Sequence, residues 1–237
     1  MTFSGKTAIV TGGTGALGSV CAEHLFDAGL NIAIPYASEK SLANLAKRVA
    51  QNPARLLTMN TDLTEEGQVD SFVSQVVKRF DSVSYLVNTA GGYLGGSTID
   101  EVLLDEWEGI MKLNMRTAFL ICRSALRVMR KQKFGRIVNI AAMPALSPSA
   151  RKGPYAISKR AVVTLTETIA EETKAAGITA NAIAPSIILT EANRQSMPTA
   201  DFSKWVTPQE IAQLVLYLCS DEAKSVSGNV VKIYGGV

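Results

Sequence analysis

Short runs of apolar, often β-branched residues alternate with longer helical patterns along nearly the whole chain. Most of the runs are continuous rather than alternating, which is typical of strands buried on both faces of a parallel sheet. The predicted strands are 7–11, 31–36, 55–60, 85–88, 136–141, 178–184 and 230–234. The predicted helices are 16–28, 39–51, 65–80, 114–131, 154–176 and 208–220. This repetition predicts an α/β fold, a doubly wound parallel sheet of about seven strands with helices on both faces.

No linker, low-complexity tract or change in composition divides the 237 residues. We therefore expect a single domain over residues 1–237. One segment, 187–207, breaks the strand–helix rhythm because it is long, irregular and contains Met, Pro, Asp and Trp. Long loops in a compact domain are often lids or binding loops, so this segment is predicted to be a substrate lid.

Composition excludes several classes of protein. The net charge is +3, and the densest basic run, 123–136, is better explained by a solvated helix face than by a nucleic-acid stripe. No apolar run approaches the roughly eighteen residues that span a bilayer, and the N-terminus lacks the pattern of a signal peptide. The three cysteines are far apart and the single histidine, His24, has no adjacent nucleophile, so no metal centre or disulfide is predicted. We expect a cytoplasmic protein without nucleic-acid or membrane partners.

A glycine-rich segment, T-G-G-T-G-A-L-G, follows the first predicted strand and opens the first predicted helix. It reads as G-x-G-x-x-G across Gly13, Gly15 and Gly18. Glycines let the backbone turn tightly and approach a pyrophosphate, which binds the amides at the helix N-terminus. A plain tight turn is the alternative, but the position between strand and helix favours a dinucleotide site. The residues assigned to this site are Gly12, Gly13, Thr14, Gly15, Leu17 and Gly18.

The end of the second predicted strand bears on the choice between NAD and NADP. An acidic residue there would bind the adenosine ribose, but the position is Tyr36 and no carboxylate follows until Glu39. Ser38 and Lys40 could instead meet a 2′-phosphate. We therefore expect NADP or NAD, with a slight preference for NADP. Asp62, after the third strand, could accept a hydrogen bond from the adenine amino group or could serve only as a residue of a helix-initiating turn.

Tyr155 and Lys159 are spaced so that their side chains share one face of a helix. A free tyrosine has a pKa of about 10, too high for ready proton exchange near neutral pH. A neighbouring ammonium stabilises the phenolate and lowers that pKa. The spacing therefore predicts Tyr155 as a general acid or base and Lys159 as its pKa modifier.

Together with further motifs, these segments resemble the short-chain dehydrogenase/reductase family over essentially the entire chain. In chain order the motifs are Thr11 to Gly18, Asp62-Leu63, Asn88-Thr89-Ala90-Gly91, Asn114, Tyr155-x-x-x-Lys159 and Pro185 to Thr190. The resemblance implies a Rossmann fold, NAD(P)-dependent oxidoreductase activity and a homodimer or homotetramer paired through helices 114–131 and 154–176.

The same resemblance implies the following contacts in the site. Lys159 also holds the nicotinamide ribose, and Asn114 anchors a water that relays protons. The backbone of Ile188 and the Thr190 hydroxyl, after Pro185, hold the carboxamide. Three residues support the sheet beside the cofactor: Asn88, Ala90 and Gly91.

One position departs from the family pattern. The family places a serine thirteen residues before the tyrosine to hydrogen-bond the substrate carbonyl, and here that residue is Ala142. A methyl group cannot donate a hydrogen bond. Losing one such donor typically costs about 2.7–4 kcal/mol of transition-state stabilisation. Ser147 or Ser149 could reach into the gap from the following loop.

Segments 15–19, 90–96 and 193–205 carry a narrower resemblance to the dihydropteridine reductases, which also lack the serine. Their quinonoid substrate regains an aromatic-like ring on reduction and so depends less on a polarising hydroxyl. The resemblance implies a small conjugated acceptor such as a quinonoid dihydropterin, although Tyr36 stands where those enzymes have an acidic residue. A generic reductase of 3-oxoacyl thioesters and a non-catalytic cofactor-binding protein are the alternatives. Trp205 and Met197 could line the pocket or pack the lid onto the core.

Overall fold

The structure is a computed structural model that describes residues 3–43, 45 and 47–237. Its strands are β1 Thr7–Thr11, β2 Asn31–Tyr36, β3 Leu56–Asn60, β4 Tyr85–Asn88, β5 Gly135–Ile140, β6 Ile178–Pro185 and β7 Val230–Ile233. All seven are parallel and form one sheet in the order β3-β2-β1-β4-β5-β6-β7. The chain builds outward from β1 to β3 and then crosses to β4, so the strand order reverses between β1 and β4. The crevice at the carboxyl ends of these two strands is where doubly wound sheets bind ligands.

Helices cover both faces of the sheet. They are α1 Ala16–Asp27, α2 Glu39–Leu42, α3 Lys47–Ala50, α4 Glu66–Phe80, α5 Leu104–Met111, α6 Thr117–Gln132, α7 Gly153–Thr173, α8 Glu191–Ser196 and α9 Pro208–Cys219. One hydrophobic core lies between the sheet and the buried sides of α1 and α9. A second lies on the opposite face, under α4, α6 and part of α7. Successive β1 residues show this division, since Val10 belongs to the first core and Ile9 to the second.

The predicted α/β architecture is confirmed, with strand boundaries that agree to within about a residue. Predicted helix 39–51 corresponds to α2 and α3, and its positions 44 and 46 lie outside the described residues. The prediction missed α5, which is joined to α6 by a π-helical turn, Lys112–Arg116. This helix buries Ile110 but leaves Leu104 exposed, and its 8 residues are too few to show a clear helical period in the sequence. The predicted lid contains α8 and a 3₁₀ turn, Phe202–Lys204, and is more regular than expected.

The cysteines are free and buried, as predicted. Burial raises the pKa of each of the Cys21, Cys122 and Cys219 thiols to about 12. Among the described residues, no helix is long and apolar enough to cross a membrane. The same residues contain no cluster of His, Cys, Asp and Glu suited to holding a metal ion.

Candidate active site

The glycine-rich loop lies at the carboxyl end of β1 and is closely packed. Gly12 has a φ of +65°, a conformation that side chains disfavour, and a Cβ there would lie 2.8 Å from Thr89 Oγ1. A Cβ on Gly18 would overlap the Gly12 carbonyl oxygen, and one on Gly13 would lie 2.9 Å from the Ile34 side chain. The loop therefore requires glycine at these positions.

The loop passes directly into the N-terminus of α1. Gly15 is the residue before the helix, and its amide donates to the Gly12 carbonyl at 2.8 Å. The first amides of a helix have no acceptor within it and carry partial positive charge. Thr14 stands in the loop, and Leu17 anchors the first turn of α1 against the core. A bare backbone at a helix N-terminus fits the pyrophosphate of a dinucleotide.

Hydrogen bonds between side chains and backbone join the ends of β1 and β4. The Thr11 hydroxyl donates to the Asn88 side-chain oxygen and accepts from the Ala90 amide at 3.2 Å. Thr89 Oγ1 donates to the Thr11 carbonyl at 2.6 Å. The predicted site residues Asn88, Ala90 and Gly91 thus lie beside the glycine loop. Thr11 and Thr89 stand in the resembling motifs, but their hydrogen bonds were not predicted, because the pairing of β1 with β4 brings them together.

The binding region for the adenosine end of a cofactor is only partly formed. Tyr36, at the end of β2, donates its hydroxyl to Glu39 Oε1 at 2.6 Å, so a carboxylate does lie close to this strand end. Ser38 directly precedes α2 and does not cap it. Asp62 Oδ1 accepts from the amide and the hydroxyl of Thr64 at 2.8 and 2.7 Å, and these bonds lower the pKa of the Asp62 carboxyl. One carboxylate oxygen of Asp62 therefore serves the turn. The neighbouring Leu63 packs on the core.

Asn114 lies in the π-helical turn between α5 and α6 and is buried. Its Oδ1 accepts from the Gly92 amide at 2.8 Å. Its Nδ2 donates to the Gly92 carbonyl at 3.1 Å and to Ser158 Oγ at 2.9 Å. Ser158 Oγ in turn donates to the Tyr155 carbonyl at 2.8 Å. Both amide hydrogens of Asn114 therefore hold the β4 loop and α7 together, and they are not available to a relay water.

Lys159 is buried and donates from Nζ to the Ile140 carbonyl at 2.9 Å. Burial lowers its pKa to about 8. Burial raises the pKa of Tyr155 to about 12, and the neighbouring Tyr93 phenol adds to the rise. The lowering that we expected from Lys159 is not found in the protein, because desolvation of the phenol dominates and the ammonium is directed to a carbonyl at the end of β5.

Ala142 follows β5 in an extended conformation, with φ −165° and ψ 157°, and is 4% exposed. Its carbonyl accepts from the Ala145 amide at 3.0 Å, which starts the 3₁₀ turn Met143–Ala145. Ser147 and Ser149 both lie exposed in the following loop. Neither hydroxyl forms a hydrogen bond within the described part of the chain. No hydrogen bond among the described residues therefore holds the hydroxyl of Ser147 or Ser149 at the Ala142 position.

A second aromatic residue, Tyr93, adjoins the predicted proton donor. Its ring meets that of Tyr155 edge to face, with centroids 5.0 Å apart and an interplanar angle of 67°. Tyr93 nevertheless remains 63% exposed. Sequence analysis assigned Tyr93 no role beyond its place in a resembling segment, because its contact with Tyr155 joins two segments that are distant in the chain.

The predicted lid starts after β6, which ends at Pro185, and is held to the core at its base. Ile188 pairs with Val206 in an isolated parallel bridge. The Ile188 carbonyl accepts from the Thr190 amide and from Asn193 Nδ2, each at 2.8 Å. Thr190 caps α8 by accepting from the Asn193 amide at 3.2 Å, so its hydroxyl hydrogen stays available for a ligand. The Ile188 carbonyl is already engaged.

Trp205 and Met197 both lie in the predicted lid. Trp205 is 6% exposed and meets Phe202 edge to face at 4.8 Å. The contact with Phe202 lies within the lid, and the next residue, Val206, belongs to the first core. Met197, after α8, is half-buried.

The chain is similar in sequence to known oxidoreductases. A family model described as short chain dehydrogenase matches residues 6–201. The 3-oxoacyl-[acyl-carrier-protein] reductase FabG of Aquifex aeolicus is 30% identical, and the alignment covers 99% of this chain and 98% of that protein. The D-beta-hydroxybutyrate dehydrogenase of Rhizobium meliloti is 28% identical, with 98% of each covered.

Solved structures agree with this assignment. Levodione reductase superposes with a TM-score of 0.91 at 28% identity, covering 99% of this chain and 98% of that one. NAD+-bound xylitol dehydrogenase superposes with a TM-score of 0.92 at 25% identity, covering 100% of both chains. None of the relatives described here is a dihydropteridine reductase, so they lend no support to that narrower resemblance. The fold, the paired Tyr155 and Lys159 and the family match lead to one conclusion: this chain belongs to the short-chain dehydrogenase family and is an NAD(P)-dependent oxidoreductase.

Proposed function

We propose that the protein reduces a small conjugated acceptor, such as a quinonoid dihydropterin, with Tyr155 as the proton donor. The observation that carries the proposal is the coexistence of a complete Tyr155–Lys159 pair with a buried methyl group at Ala142. An isolated ketone needs a hydrogen-bond donor at that place, whereas a conjugated acceptor delocalises the developing charge itself. The family assignment supplies the cofactor class, and the bound nicotinamide would supply the hydride.

The residues that would hold the cofactor lie along the carboxyl ends of the strands. The glycine loop with the α1 amides would receive the pyrophosphate, and Lys159 the nicotinamide ribose. The Ile188 amide and the Thr190 hydroxyl would take the carboxamide, since the Ile188 carbonyl already has two donors. We propose NADPH as the preferred form, because Tyr36 stands at the strand end where a carboxylate would bind the ribose hydroxyls, and Ser38 is exposed beside it. The Glu39 carboxylate that Tyr36 holds acts against a 2′-phosphate and limits this preference.

Proton donation follows from the environment of Tyr155. Because burial holds its pKa near 12, the phenol keeps its proton across the neutral range and can donate it during reduction. Lys159, with a pKa of about 8, is largely protonated at neutral pH. In this proposal its ammonium turns from the Ile140 carbonyl toward the phenolate that is left after donation and stabilises it.

A second candidate is a carbonyl reductase acting on 3-oxoacyl thioesters or short hydroxy acids. The observation in its favour is the similarity of 28–30% over nearly full length to proteins named for those reactions. The variant Ala142→Ser separates the candidates. If Ala142→Ser greatly raises the rate of ketone reduction, the natural enzyme is not adapted to ketones. If the wild type already reduces ketones rapidly, the second candidate is favoured.

The primary test compares the wild type with Tyr155→Phe in NADPH and NADH oxidation assays with conjugated and isolated carbonyl acceptors. Loss of a general acid typically lowers the rate about 10²–10⁴-fold, and we expect a decrease of that size. Equal rates in the two proteins would overturn the proposal. Tight cofactor binding without turnover of any acceptor would instead support a non-catalytic cofactor-binding protein.

We further propose that the chain forms a homodimer or homotetramer. Part of the expected pairing surface is apolar and exposed, at Leu113, Phe119 and Ile157. These residues belong to the π-helical turn, α6 and α7, the helices through which the family pairs. Exposed apolar side chains on these helices could form the core of such an interface.

A further inference from the structure

Tyr93 combines two properties that seldom occur together. It contacts the ring of Tyr155, and yet it exposes 63% of its surface. Isolated exposed aromatic residues are common and need no explanation by themselves. Tyr93 differs because its exposed ring adjoins a buried proton donor and because its backbone is fixed on both sides.

The fixation on the N-terminal side comes from Asn114. Gly92, the residue before Tyr93, exchanges hydrogen bonds with this side chain through both its amide and its carbonyl, at 2.8 and 3.1 Å. A Cβ on Gly92 would lie 2.5 Å from Leu113 Cδ2, so the two segments are in close contact. The Cα of Tyr93 is therefore tied directly to a predicted catalytic residue.

The fixation on the C-terminal side comes from Arg151, just before α7. The Gly96 amide donates to the Arg151 carbonyl at 2.8 Å, and Arg151 Nη1 donates to the Gly96 carbonyl at 2.8 Å. Arg151 has a φ of +61°, a conformation of higher energy for a non-glycine residue, and these bonds help to maintain it. Both ends of segment 92–96 are thus held on the elements that carry Asn114 and Tyr155.

The phenol itself rests over Gly95. A Cβ on that glycine would overlap the Tyr93 hydroxyl, so the absence of a side chain makes room for the ring. The hydroxyl has no hydrogen-bond partner among the described residues. The ring is therefore positioned by packing rather than by its polar end, and it keeps an open surface beside Tyr155.

We propose that Tyr93 is a specificity-determining residue whose exposed ring forms the wall against which a planar conjugated substrate lies beside the Tyr155 hydroxyl. This inference rests on the proposed function. Ala142 cannot orient the substrate through a hydrogen bond to its oxygen, whereas stacking on Tyr93 would orient a flat acceptor without such a bond. An acyclic carbonyl compound has no flat surface to stack. Tyr93 therefore favours planar cyclic substrates over acyclic ones.

The test uses two replacements and two probes. Tyr93→Leu removes the ring, and Tyr93→Phe removes only the hydroxyl. Phenanthrenequinone is the planar probe. An acetoacetyl ester is the acyclic one, and we expect its reduction to be slow but measurable because Ala142 offers its ketone no donor. We expect Tyr93→Leu to raise KM for the quinone by about tenfold, the scale of an aromatic contact, while kcat and the KM for the ester stay within about twofold. Tyr93→Phe should resemble the wild type. Tyr217→Leu, an exposed aromatic residue of α9, is the matched control and should change neither probe.

A second replacement disturbs the ring without removing it. Gly95→Ala would displace the phenol, and we expect it to raise KM for the quinone in the same direction. Gly109→Ala, on a helix with no atom near the added methyl, is its control. Thermal unfolding of each variant verifies that the fold is kept.

Three results would overturn the proposal. Equal losses in Tyr93→Phe and Tyr93→Leu would assign the effect to the hydroxyl. Equal losses on both probes would make Tyr93 a support for Tyr155 only. The third result is a wild type that does not reduce the quinone and whose ester reduction the quinone does not inhibit. That result would show that the site does not bind a planar substrate. The parallel Tyr155→Phe assay separates this failure from that of the proposed function. If Tyr155→Phe is inactive and Tyr93→Leu behaves like the wild type, only the proposed role of Tyr93 is rejected.

Discussion

The side-chain amide of Asn114 donates a hydrogen bond of 2.9 Å to the hydroxyl of Ser158. That hydroxyl donates in turn to the Tyr155 carbonyl at 2.8 Å, so the π-helical turn is connected to the first turn of α7. Asn114 and Ser158 are both buried. Ser158 therefore holds the backbone of Tyr155, the proton donor, and has no hydrogen bond with its phenol.

Replacement of that serine provides the first prediction. Ser158→Ala leaves one amide hydrogen of Asn114 without an acceptor, which costs about 1–3 kcal/mol of the free energy of unfolding. Because small misplacements of reacting groups are costly, we expect kcat to fall about tenfold or more while the cofactor KM changes little. Steady-state kinetics and thermal unfolding measure both effects, with Ser147→Ala as an exposed control. An unchanged kcat would show that the bond does not position Tyr155.

The glycine loop yields the second prediction. Gly18→Ala would drive a methyl group into the Gly12 carbonyl and to 2.6 Å from Thr89 Oγ1. Overpacking of this kind costs about 1–3 kcal/mol, and the shift of the loop should weaken NADPH binding. Gly67→Ala, at an exposed helix position with no atom within 4 Å, should instead be neutral or stabilise by up to about 1 kcal/mol. Cofactor titration and thermal unfolding distinguish them, and equal behaviour of the two variants would contradict the packing argument.

Local patterns were sufficient to predict the sheet and the main motifs. The continuous apolar runs at β1 and β4 and the glycine loop each carry their signal in adjacent residues. The paired Tyr155 and Lys159 lie one helical turn apart, so the sequence also predicts their proximity.

Features formed between distant segments could not be predicted in this way. The bond from Asn114 to Ser158 and the contact of Tyr93 with Tyr155 depend on how α7 packs on the β4 loop. The raised pKa of Tyr155 has the same origin, because burial is a property of the packed molecule. An expectation based only on the neighbouring charge of Lys159 gave the wrong direction.

The buried amine of Lys159 gives a pH-dependent prediction. Its pKa falls from 10.5 to about 8, so between these values the unfolded chain binds more protons and this group makes stability rise with pH. Below about pH 8 the full penalty of burying the ammonium applies. The raised thiol pKa values act in the opposite direction above pH 9.0, so the range for the measurement is about pH 8–9. There we expect the melting temperature of the wild type to rise relative to that of Lys159→Met, whereas parallel profiles would refute the assignment.

Cofactor preference should respond to a charge at the end of β2. Tyr36→Asp places a carboxylate where it can accept from a ribose 2′-hydroxyl and repel a 2′-phosphate. We expect the ratio of kcat/KM for NADPH over NADH to fall at least about tenfold, which requires only about 1.4 kcal/mol of differential interaction. Glu39→Gln removes the carboxylate that Tyr36 now holds and should move the ratio the other way. The same ratio in all three proteins would place the adenosine ribose elsewhere.

Assembly provides the last prediction. Ile157 is 44% exposed although it lies between Tyr155 and the buried Lys159, because it projects from the opposite face of α7. If this face pairs two chains, Ile157→Glu buries an unpaired carboxylate at the interface, which costs several kcal/mol. We expect the wild type to sediment as a dimer or tetramer and Ile157→Glu to sediment as a smaller species in analytical ultracentrifugation. Tyr217→Glu, at a similarly exposed apolar site on α9, should keep the wild-type mass, so dissociation of both variants, or of neither, would place the interface elsewhere.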